Sequence, residues 1–145
     1  MLGELNEAQI EQLLRDEVVG RIGCHSAGFG YVVPITYAYA DGCVYGHSGP
    51  GRKIAMMRAN PHVCFEVDHL DDMRNWRSVI AWGTYEELAG EEAAAAMRLL
   101  IERLRPLATS ETGQPPRAHA RDTAGSAAVL YRLRLDEKTG RYERG

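Results

Sequence analysis

The segment "YGHSGPGRKIAMMRANP" places a histidine, a serine, three glycines, an arginine and a lysine in one short turn, ahead of a helix-like run closed by Asn60 and Pro61. If that helix starts near Gly51, its first amides have no intrahelical partner and the positive end of its dipole points into the turn. Such an end is an anion-binding geometry. Arg52 and Lys53 add two positive charges there, and His47 and Ser48 add hydrogen-bonding groups from the end of the preceding strand. The same residues also read as a tight turn whose cations face water. The local signal alone leaves both readings open.

Two further stretches carry possible chemistry. In "WRSV", strand alternation sends Trp76 and Ser78 to one face and Arg77 and Val79 to the other. This is either a core tryptophan beside a surface arginine or part of a site; Trp82, on the face of Trp76, is expected in the core. In "VVPITYAY", Pro34 interrupts a strand run, and proline cannot donate to a ladder. The position is an edge, a bulge or a place where a planar heterocycle with imide donors and acceptors could use unpaired backbone. The remaining ionisable residues are less specific. His25, His47, His62, His69 and His119 have no metal-ligand spacing, so no metal site is expected. Glu66 and Asp68 share a strand face and are expected to be solvated or salt-bridged. No GxSxG, Walker A or GxGxxG pattern occurs.

These residues must be positioned by a chain of 145 residues, the size of a single domain spanning 1–145. A net charge of −3 argues against a broad nucleic-acid footprint. Three separated cysteines without CxxC spacing fit buried thiols in a reducing cytosol. The N-terminal "MLGELNEAQIEQLL" is acidic and lacks a signal-peptide pattern, and no apolar run approaches the roughly 20 residues of a membrane span. A soluble cytoplasmic protein is the expectation.

The elements follow from periodicity. Asn6 and Gln9 can cap an amphipathic helix with Ile10, Leu13 and Leu14 on one face, ended by Gly20. "RIGCHSA", "GYVVPITYAYADG" and "CVYGHS" are strands, the last two joined at a tight Asp41–Gly42 turn. "RKIAMMRAN" is a short helix that Pro61 stops. "HVCFEVDHL" and "WRSVIAWGTYEEL" are strands, the second with a possible bulge at Gly83. "EEAAAAMRLLIERLRPL" is a helix with a stripe of Ala94, Met97, Ile101 and Leu104. Residues 108–125 form a polar loop, and "AAVLYRLRLDEKTGRYE" closes the chain as a strand. Hairpins without a βαβ rhythm predict a mainly β (α+β) fold: a six-stranded antiparallel split β-barrel with flanking helices.

Taken together, "GRIGCHSAGFGYVVPITYAYADGCVYGHSGPGRKIAMMRANPHVCFEVD" and "WRSVIAWGTYEEL" resemble the FMN-binding split-barrel proteins related to pyridoxamine 5′-phosphate oxidase, and among them the nitroimidazole-resistance (Nim-type) flavin proteins. The resemblance covers roughly residues 14–88 and the closing "YRLRLDEKTGR". It implies a homodimer with FMN at the subunit interface. On that pattern the backbone around Val33, Pro34, Ile35 and Thr36 faces the isoalloxazine ring. His47 and Ser48 lie near the ribityl chain and ring edge, Arg52 and Lys53 hold the phosphate, and Arg77 and Ser78 complete the pocket from the same or the other subunit. The implied activity is an FMN-dependent oxidoreductase that reduces a small electron acceptor such as a nitroaromatic compound, with His47 as the candidate proton donor. A flavin storage or sensing module, or the same barrel holding F420 or haem, are the alternatives. The substrate-binding C-terminal segment of true pyridoxamine phosphate oxidases is not evident, so vitamin B6 oxidation is not expected.

Overall fold

Asn6 caps the start of the first helix as its sequence predicts. Its side chain accepts from the Gln9 amide at 2.9 Å, and the Gln9 side chain accepts from the Asn6 amide at 2.8 Å. This capping box starts α1 (Glu7–Asp16), which buries Ile10, Leu13 and Leu14. Gly20 does not end the helix. Glu17 caps it, and Gly20 sits inside the next strand, where a Cβ would fall 2.2 Å from the Phe65 ring. The computed structural model describes residues 1–107 and 128–145; the expected loop at 108–125 and His119 lie outside them.

The strands are β1 (Leu2–Glu4), β2 (Val19–Ser26), β3 (Phe29–Thr36), β4 (Ala38–Ala40), β5 (Cys43–Ser48), β6 (His62–Asp72), β7 (Asn75–Glu87) and β8 (Val129–Glu143). They form one antiparallel sheet in the order β3-β2-β6-β7-β8-β5-β4, with β1 added on β8. The architecture is the expected antiparallel split barrel with flanking helices, with eight strands among the described residues rather than six. One extra strand is β1. The other arises because the run 29–40 breaks at Tyr37, whose amide donates to the Val18 carbonyl at 3.0 Å and whose hydroxyl donates to the Leu14 carbonyl at 2.7 Å. The break moves the chain from one edge of the sheet, β3, to the other, β4.

Period-2 patterning selects the core. Val63, Phe65 and Val67 on β6, Val79 and Ala81 on β7, and Tyr131 and Leu133 on β8 are buried, with Tyr37 edge-on to Phe65 at 5.0 Å. Asp41 and Gly42 both adopt positive φ, 50° and 75°, and make the tight β4–β5 turn. The β7–β8 register shifts between Trp82 and Gly83, as expected near this glycine. The extra residue is Asp136 on β8, and a Cβ on Gly83 would meet the Arg134 carbonyl oxygen at 2.1 Å. Trp82 is not in the core; it is 43% exposed on the outer face.

Two more helices complete the frame. α2 (Arg52–Ala59) buries Ile54 and Met57 and stops at Asn60, before Pro61. α3 (Gly90–Leu104) lies against β4, β5 and β8 and buries Ala96 and Leu100, while Ala94 is exposed. The expected stripe is therefore rotated on the helix. Among the described residues no helix is long and apolar enough to cross a membrane.

Candidate functional site

β5 delivers Ser48 to the turn, and α2 begins four residues later. Gly51 caps α2 without a side-chain bond, and no acidic residue stands in its first turn. The end is thus left to whatever docks there. Lys53 reaches back and donates to the Ser48 Oγ at 2.8 Å, and Ser48 donates to the Gly49 carbonyl at 2.7 Å. Burial lowers the Lys53 pKa below its ordinary value, with the nearby Cys24 opposing. Burial likewise pushes the Cys24 thiol up, with Cys64 adding to the rise and Lys53 opposing it. The Arg52 guanidinium stands over the Tyr31 ring, 5.8 Å from its centroid. Among the described residues neither Arg52 nor Lys53 has a carboxylate partner, whereas Arg58 at the far end of α2 is paired with Glu87.

Ser48, Arg52 and Lys53 therefore meet in one corner. His47 precedes Ser48 on β5, half-buried and opposite Leu130. Val33, Pro34, Ile35 and Thr36 lie on β3, which stands at the end of the strand order and pairs with β2 alone among the described residues. Pro34 thus occupies an edge strand, opposite Arg21 and exposed; Val33 is half-buried, Ile35 buried and Thr36 exposed. Arg77 and Ser78 are not at the corner. They stand opposite His69 and Asp68 on β6. His69 is five residues from Cys64, roughly 16 Å along the strand at ~3.3 Å per residue.

A cleft of about 580 Å³ opens beside the corner, between Tyr31 and Val32 on β3, Cys64 on β6, Trp82 on β7 and Asp136 on β8. None of Val33 to Thr36 lines it. Cys24 and Tyr31 touch both the cleft and the corner. Sequence reasoning missed both residues. Their joint placement follows from the β2–β3 register, which sets Cys24 opposite Tyr31, and only the alternation of the two strands hinted at it. Elsewhere on the outer face Arg21 contacts Glu66 at 3.3 Å and Asp68 at 3.6 Å, the expected salt-bridged role for this carboxylate pair. Partial burial and the neighbouring Asp68 push the Glu66 pKa up to about 7.

The structure is thus an antiparallel split barrel with a cationic corner at a helix start and an open edge strand. The chain matches pyridoxamine 5′-phosphate oxidase over residues 6–142, and it belongs to that family. It is 32% identical over 127 residues to uncharacterized protein RA0666 of Rhizobium meliloti, covering 85% of this chain and 83% of that one. An FAD-binding protein of Mesorhizobium loti superposes with a TM-score of 0.77 at 32% identity over 98% of both chains. A Bacteroides thetaiotaomicron protein described as a candidate 5-nitroimidazole antibiotic resistance protein shares the fold, with a TM-score of 0.73 at 21% identity over 98% of this chain and 87% of its own.

Proposed function

We propose that the chain binds a flavin, FMN, with the phosphate in the Ser48–Lys53 corner, and acts as an oxidoreductase on a small electron acceptor such as a nitroaromatic compound. One observation carries the reading: Lys53 is half-buried at the start of α2 with a hydroxyl, not a carboxylate, as its partner among the described residues. A partly desolvated cation without a counter-charge is unfavourable until an anion reaches it. A terminal phosphate fits this donor set. Lys53 supplies a point charge, Arg52 a bidentate fork, and the uncapped start of α2 its free amides. When bound, a flavin supplies the electron and hydride chemistry, and the protein supplies binding and orientation.

The remaining residues take complementary roles. The open edge of β3 offers backbone donors and acceptors to the heterocycle, and Pro34 removes one donor from that edge. His47, beside Ser48, is the candidate proton donor. Arg77 and Ser78, opposite His69 and Asp68 farther along the sheet, reach the site from a second copy of the chain. Exposed Val32, Ile80 and Trp82 on the outer face favour such a homodimer. The Mesorhizobium loti neighbour is named for FAD, which carries the same ribityl 5′-phosphate, so both flavins belong in the test.

The test is a visible absorption spectrum after incubation with FMN or FAD and desalting, followed by NAD(P)H reduction and reoxidation by a nitroaromatic acceptor. A retained flavin, near one per chain, that turns over supports the proposal. Retention without reduction by any nicotinamide reduces it to a storage or sensing module. Protein that retains neither flavin overturns it, and mass spectrometry of the extracted ligand then distinguishes F420 from haem.

A further inference from the structure

We infer that Tyr31 is a positioning residue for Arg52, and that through it the chain distinguishes FMN from riboflavin. This rests on the flavin reading above. Arginine is long and carries much rotamer entropy, so an exposed one at a helix start needs something to hold it. At four other arginines carboxylates do this: Glu66 and Asp68 hold Arg21, Glu87 holds Arg58, and Glu86 holds both Arg132 and Arg134, while Arg103 donates to backbone carbonyls and Arg144 stands over the Tyr142 ring away from any helix start. A carboxylate also neutralises the guanidinium and occupies its N–H donors. Arg52 is held differently. Its guanidinium lies 5.8 Å from the centroid of the Tyr31 ring, within the range of a cation–π contact. A ring face attracts the cation without accepting its N–H groups in plane, so charge and donors both stay available to a phosphate.

Tyr31 is placed to do this rigidly. It pairs with Cys24 in the β2–β3 register, is half-buried against the core, and lines the cleft beside the corner. Cys24 in turn neighbours Lys53. The strand pair thus sets both cations of the turn, Lys53 through the buried floor and Arg52 through the aromatic ring. Tyr31 acts on the phosphate through Arg52 and carries no charge to the ligand itself.

The experiment compares FMN and riboflavin affinities by fluorescence quenching in wild type, Tyr31→Leu, Tyr31→Phe, Arg52→Ala and the Tyr31→Leu/Arg52→Ala double variant. Leucine keeps the apolar packing, and thermal melts report whether each variant folds. Tyr31→Leu is expected to weaken FMN about fivefold and leave riboflavin unchanged, while Tyr31→Phe behaves as wild type. In the Arg52→Ala background Tyr31→Leu is expected to add nothing. Equal loss for both ligands, or an undiminished effect of Tyr31→Leu without Arg52, overturns the inference while leaving the flavin reading intact. Wild-type protein that binds no flavin overturns both.

Discussion

Helices α1 and α2 begin in opposite ways. α1 satisfies its own start, with Asn6 and Gln9 exchanging hydrogen bonds and Glu7 adding a negative charge in the first turn. α2 has a glycine cap, no side-chain bond, no acid in its first turn and two cations instead. Cations at that end oppose the helix dipole. Stability alone would favour the arrangement seen at α1. A helix start that leaves its amides open and adds positive charge gives up stability in a form that only an anion can return. α3 lies between the two, lacking a side-chain cap but carrying Glu91 and Glu92 in its first turn.

The sharpest test removes the cations. Lys53→Met is expected to weaken FMN binding about 10- to 100-fold, a loss of ~1.5–3 kcal/mol, and Arg52→Ala at least ~10-fold; quenching titrations measure both. Unchanged affinity in either would remove that residue from the phosphate assignment. A second test makes α2 resemble α1. Gly51→Asp has room for its side chain and places a carboxylate where the phosphate is proposed to sit. It should cost about tenfold in FMN affinity while leaving the empty protein as stable or slightly more so. The reverse experiment, Asn6→Ala, should cost about 1 kcal/mol in urea unfolding and leave FMN affinity unchanged. If flavin affinity followed Asn6, the two helix starts would not be independent.

The smallest effect is the most discriminating. Burial holds the Lys53 pKa below that of the unfolded chain. Between the two values the unfolded state binds more protons, so this group makes stability rise with pH there, and below that window its charge costs stability. Lys53→Met should therefore raise the melting temperature of the flavin-free protein slightly while it weakens flavin binding. A lowered melting temperature would mean that the Ser48 hydrogen bond outweighs the desolvated charge.

Most local structure was legible because its causes are local. The Asn6–Gln9 box, the Asp41–Gly42 turn, the Pro61 stop and the alternation of Val63, Phe65 and Val67 each depend on residues a few positions apart. The Lys53–Ser48 contact was legible for the same reason, since its two partners lie five residues apart. What failed depended on distant pairing. Gly20 looks like a helix stop until Phe65 is packed over it. Trp82 looks like core until its strand's outer face is known. Tyr31 gains its meaning only opposite Cys24.

The position of β8 in the sheet bears on how the protein is made. This last strand pairs with β7, β5 and β1, so it joins segments from the beginning, middle and end of the chain. Ser48, which anchors Lys53, lies opposite Val129, the first residue of β8. On the ribosome the three helices and β2, β3, β6 and β7 emerge before that partner exists. Long-range pairings of this kind form late and slowly. The cationic corner is therefore completed only after β8 has been made, and a nascent chain stalled before Val129 would hold Lys53 against a β5 end, at Ser48, that still lacks its neighbour.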